Sequence, residues 1–139
     1  MALNQDHATL PKTPFSRTAV LTTAETTFNT PTNVVDLLLA ADNTDGARIT
    51  KLYGIPRAAI GTANNLQLYK RSGSTYTLID SALMAVVTPG AAVANPKTDF
   101  GLSVSAPLEL EGGIGLAVAM GQSIANGVVM RCEGAFYAQ

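Results

Sequence analysis

Histidine, cysteine and tryptophan are almost missing from this chain: 139 residues contain one His, one Cys and no Trp. Charge is scarce as well, at 14% of residues. Each shortage excludes a class of function. The lone His7 lies in an N-terminal stretch with no fixed neighbour to set its tautomer and pKa, so it reads as a solvent-exposed spectator and not as a catalytic base. The lone Cys132 rules out an intrachain disulfide framework and fits assembly in a reducing cytoplasm. Net charge is −1, and the nine basic residues are scattered, with Lys70-Arg71 the only adjacent pair. That distribution gives no electrostatic footprint for nucleic acid. The longest apolar stretches, Ala82 to Val87 and Ile114 to Met120, fall far short of the ~20 residues that cross a bilayer as a helix. Residues 1–17 lack the apolar core of a signal peptide. The sequence therefore predicts no membrane and no targeting segment.

What is present is a 47% apolar content in short runs punctuated by Gly, Pro, Asn and Thr. The length suits one domain that buries enough surface to need neither disulfide nor metal. Residues 1–17 stand apart, with two prolines, scattered charges and isolated apolar side chains at Leu3, Leu10 and Phe15. No period of 2 or 3.6 runs through them. They are expected to be either a frayed terminus or an arm that orders against a neighbour through Leu10 and Phe15. The domain proper is placed at 18–139.

Strand signals begin at Thr18. Thr18 to Asn29, Asn33 to Ala41 and Arg48 to Ile55 read as three strands, the last with Ile49, Tyr53 and Ile55 on one face. Leu66 to Arg71 and Thr75 to Ser81 make a hairpin about Ser72-Gly73-Ser74. Ala82 to Val87 extends its second strand or crosses to another sheet. Thr88 to Thr98 is a Pro- and Gly-rich loop, which makes the alternative of a short helix over 82–94 a poor one. Leu102 to Leu110, Ile114 to Met120 and Val128 to Ala138 close the chain, the last turning Val128, Met130, Cys132 and Phe136 to one side. About eight short strands with no intervening amphipathic helix predict an all-β fold, an antiparallel two-sheet β-sandwich or jelly roll with an extended N-terminal arm.

Candidate chemistry is thin. Cys132 alternates with Met130 and Phe136, as a small buried hydrophobe would. In the cluster Asp42-Asn43-Thr44-Asp45-Gly46, aligning Gly46 with the glycine of a calcium loop leaves Ala41 at the first ligand position and Leu52 at the last, so no such site fits. A polar hairpin turn explains the cluster better. Glu109 and Glu111 share one strand face, whereas the acids of a glycosidase must oppose each other across a cleft. Gly112-Gly113-Ile114-Gly115 opens like a dinucleotide fingerprint, but no helix follows and Val118 stands where a glycine is wanted. No serine sits in a nucleophile elbow. The chain is expected to be no enzyme and to hold no catalytic residue, metal or cofactor. Tyr69 and Arg71, on one strand face, could instead serve a protein or sugar contact.

Four stretches together resemble a known group: TTAETTFNTP (Thr22 to Pro31), GARITKLYGI (Gly46 to Ile55), NLQLYKRSGSTYTLID (Asn65 to Asp80) and PLELEGGIGLAVA (Pro107 to Ala119). Their order is similar to that in small β-sandwich virion proteins of tailed bacteriophages, especially head-decoration or cement proteins. The resemblance implies a structural protein made in the host cytoplasm that decorates the capsid surface. Its partners would be the major capsid protein lattice and neighbouring copies of itself, a homotrimer among the options. Contacts are expected at Leu10, Phe15, Tyr69, Arg71, Val93 and Lys97. The rival is a tail or head-fibre module that binds a receptor or carbohydrate, poorly supplied here because four Tyr and four Phe are its only aromatics. A cupin-type enzyme would need two or three histidine ligands and fails on counting.

Overall fold

A computed structural model describes residues 11–137. Nine strands form two antiparallel sheets: β1 (Pro11–Leu21), β2 (Val35–Leu38), β3 (Ala47–Pro56), β4 (Asn64–Ser72), β5 (Thr75–Met84), β6 (Thr98–Asp99), β7 (Leu108–Leu110), β8 (Gly115–Met120) and β9 (Val128–Tyr137). The first sheet has the order β1-β9-β3-β6, with β7 also on β3, and the second has β2-β8-β4-β5. Apart from the β4–β5 hairpin and the break between β6 and β7, every connection carries the chain to the other sheet. That path is a jelly roll. The sandwich expected from the strand pattern is the observed fold.

Period-2 alternation builds the core. From β9, Val128, Met130, Cys132 and Phe136 face inward, as expected, and meet Leu116, Val118 and Met120 of β8 and Leu66 and Leu68 of β4. In β3 a register shift between Ile49 and Lys51 reverses the parity, so Leu52 joins Ile49 in the core while Tyr53 turns to the outer face. The expected shared face of Ile49, Tyr53 and Ile55 is broken there. Gly134 sits opposite this bulge, where a Cβ would lie 2.1 Å from the Arg48 carbonyl oxygen, so no larger residue fits without moving backbone.

β1 overturns the expected arm over 11–17. Pro11 to Leu21 pair with β9 along their length, and Phe15 is buried. Phe15, Arg17, Ala19 and Leu21 share the inward side, with the Arg17 guanidinium carbon 5.5 Å from the Phe15 ring centre. A charged residue among the inward positions hides the strand period. Two prolines are tolerated because β1 lies at a sheet edge. Leu10 lies outside the described residues. The first strand also ends earlier than expected, at Leu21, and Leu102 to Leu110 is strand only over β7.

The outer face of the first sheet is charged. Arg48 pairs with Glu109 at 2.5 Å, and Arg131 with Glu133 at 3.1 Å. The second sheet differs, because β8 alternates small and large residues. Leu116, Val118 and Met120 face the core, whereas Ala117 and Ala119 face outward beside Tyr69. These alanines leave room for a covering layer, which the segment 22–34 provides.

Candidate functional site

The segment 22–34 is a strap organised by a buried acid. Glu25, 2% exposed, accepts backbone N–H bonds from Thr27 at 3.0 Å and from Thr32 and Asn33 at 2.6 Å each. Burial works to raise its pKa, but the three N–H bonds more than offset that and hold the carboxyl below its ordinary range. Beneath it, Gln67 donates to the Glu25 carbonyl at 3.1 Å, and the Tyr69 hydroxyl donates to Gln67 Oε1 at 2.6 Å. Tyr69 is fully buried by this arrangement. It cannot be the partner contact expected of it, because the strap already occupies its face.

Arg71 does share that face with Tyr69. Its guanidinium reaches over β8, where Gly115 offers no side chain, to Asp36 of β2 at 2.7 Å. It also lies 5.4 Å from the centre of the Tyr76 ring. Both partners tie sheet strands together, so the role visible for Arg71 is internal. Phe15, likewise expected at a contact, stacks on Phe136 inside the sandwich. Val93 and Lys97 are exposed in the 85–97 loop, with Lys97 Nζ 4.7 Å from the Tyr53 ring centre.

The other candidates resolve into structural contacts. Glu109 and Glu111 do not act as a pair: Glu109 holds Arg48 and the Tyr137 hydroxyl in the first sheet, and Glu111 holds Lys70 of the second at 2.8 Å. The turn cluster at 42–46 is a crossing between sheets, not a hairpin. Its buried Asn43 donates from Nδ2 to the carbonyls of Glu111 and Ile114, both at 2.9 Å, which clamps the neighbouring crossing 111–114. Cys132 is buried and its thiol is pushed up to about 12, chiefly by desolvation. Among the described residues no three His, Cys, Asp or Glu side chains gather as a metal site would require, and no helix is long and apolar enough to cross a membrane.

One end of the sandwich has the properties of an interaction surface. There the start of the strap, 57–63, 85–97 and 121–127 meet and are tied together by hydrogen bonds. Ala24 N–H donates to Ser123 Oγ at 2.9 Å, and Ile124 N–H to the Thr22 carbonyl at 3.1 Å. Arg57 N–H donates to the Gly127 carbonyl at 3.0 Å, while Ile60 and Val87 exchange bonds at 2.7 and 3.1 Å. Asn95 Nδ2 donates to the Pro56 carbonyl at 2.7 Å. Of nine basic and ten acidic residues in the chain, these loops and the strap carry only Arg57, Lys97 and the buried Glu25. Val86 and Val93 stand out from them at 61% and 50% exposure. Sequence reasoning singled out the loop 88–98 from its composition. It missed that four loops converge, since their contacts join residues as distant as Ala24 and Ser123.

No family model, curated protein or solved structure matches this chain. The roles of its residues therefore come from geometry alone.

Proposed function

We propose that this protein is a structural component of a bacteriophage virion that decorates and stabilises the capsid by binding the lattice of the major capsid protein. The observation that carries the reading is the loop end: neutral, cross-tied and apolar at Val86 and Val93. Protein interfaces are depleted of charge at their centres, and a surface whose loops are already held loses little entropy on docking. The paired ion bridges elsewhere leave no constellation suited to acid–base or nucleophilic work. The resemblance of the four sequence stretches to head-decoration proteins points the same way. On this reading the loop end replaces the N-terminal stretch as the leading contact, because Phe15 is buried within the sandwich.

The test offers the purified protein to expanded capsids lacking it, to tails and to host cells. Binding to capsids is expected. Lattice docking through neutral loops should change less than about threefold between low and high salt, since few exposed charges are there to be screened. Val93→Asp together with Val86→Asp should weaken binding at least about tenfold, which is roughly 1.4 kcal/mol. Asp45→Lys, in the crossing at 42–46, should leave it unchanged. Binding only to cells or tails would overturn the reading in favour of a fibre module, and binding to none of the three would remove it.

A further inference from the structure

Four sheet edges are visible among the described residues, and three are blunted. β1 carries Pro11, Lys12, Pro14 and Arg17. β2 is only four residues long. The β6–β7 edge is split into pieces of two and three residues by the excursion 100–107. Short strands, proline and charge are the devices by which proteins keep open edges from pairing. β5 has none of them. It runs ten residues without Pro, Gly, Lys or Arg and exposes Leu78. Its only sheet partner is β4, so its other edge presents free N–H and C=O groups among the described residues.

We propose that the Thr75 to Ile79 half of β5 pairs antiparallel with the same segment of a second copy, about a two-fold axis at Thr77, joining two four-stranded sheets into one. A second copy is the fitting occupant because an open edge needs an extended strand that is itself open, and β5 is the one this chain offers. Antiparallel pairing of a strand with its own copy is self-complementary about a two-fold axis. The register follows from Asp80, the only charged residue of β5. Its Oδ1 accepts the Ser81 N–H at 2.8 Å, which closes the edge locally and confines pairing to the residues before it. With the axis at Thr77, Tyr76 lies opposite the partner subunit's Leu78 and Leu78 opposite the partner subunit's Tyr76. Both residues stand on the outer face, opposite Arg71 and Tyr69 of β4. Aromatic and aliphatic cross-strand pairs of this kind stabilise sheets. Each Asp80 falls opposite the partner subunit's Ser74, so the two carboxylates stay apart. A contact this short buries less than the ~1,200 Å² of a standard stable interface, so the dimer should depend on concentration.

Sedimentation of the full chain from roughly 10 μM to 1 mM should show a monomer giving way to a dimer. Leu78→Lys should raise the dissociation constant at least about tenfold without lowering the melting temperature, since Leu78 is 39% exposed. Thr77→Cys should give a disulfide-linked dimer under mild oxidation, because residues on the axis face each other within ~5.5 Å. Leu83→Cys, exposed but off the axis, should not, and the buried Cys132 does not compete. A monomer at every concentration, a trimer, an unaffected Leu78→Lys variant, or equal cross-linking at 77 and 83 would each overturn the proposal.

Discussion

The rings of Phe15 and Phe136 stack with centroids 4.3 Å apart, one from each of two neighbouring strands. This contact makes the first half of β1 part of the core. Phe15→Ala should therefore destabilise the fold by about 3 kcal/mol, the lower range for a buried phenylalanine. Thermal unfolding should fall by roughly 10 °C. Deleting residues 2–16 should cost more still. A free arm would have left the melting temperature unchanged, so calorimetry of the deletion distinguishes the two.

Glu25 makes the strap sensitive to acid, with a defined sign. Its folded pKa lies below its unfolded value, so the stabilisation is complete above the ordinary carboxylate range and is lost as pH falls through the folded pKa. Amide exchange at Thr27, Thr32 and Asn33 should stay slow at neutral and mildly acidic pH and quicken only below that range. Glu25→Gln should keep the Thr32 and Asn33 amides protected, since both bond Oε1, and should release Thr27, which would face an NH₂ group. Glu25→Ala should release all three.

Asn43 separates two ways of losing a clamp. Asn43→Ala removes two bonds to the carbonyls of Glu111 and Ile114 and should cost about 1–3 kcal/mol. Asn43→Asp should cost more, because an acceptor-only carboxylate would then face two carbonyl oxygens in a buried site. Denaturant unfolding of the two variants checks the order.

Cys132, at 0% exposure, should not react with a thiol reagent in the native state near neutral pH. Burial raises its pKa to about 12, so almost no thiolate forms at the sulfur. Labelling should track unfolding, and the modification rate across a denaturant series should follow the fraction unfolded. Rapid native labelling would mean that β9 opens readily at its centre.

Much of the site was illegible in the sequence for one physical reason: its contacts are long-range. The loop 88–98 could be found from its Pro and Gly content, but not that it meets 57–63 and thereby joins 121–127 and the strap. Glu25 in TTAETTFNTP looks like any solvated acid, and its burial depends on Gln67 and Tyr69 lying beneath. One usable signal was present in GLAVAM of β8, where small residues alternate with large and mark a sheet face that another layer must cover.

Period-2 runs, turn residues and the absence of helical patterning determined by themselves that this chain is a two-sheet β-sandwich, because alternation and turn chemistry act between near neighbours along the chain. Its shortage of His, Cys and charge likewise limited the chemistry available before any contact was known. Which faces are covered, where β1 begins, which acids pair with which bases and which edge stays open were decided only by tertiary structure. Tyr69 and Leu78 show the difference: they stand opposite each other on one sheet face, yet the strap buries one and leaves the other exposed. Burial depends on what packs above a side chain, and that layer comes from a distant part of the chain.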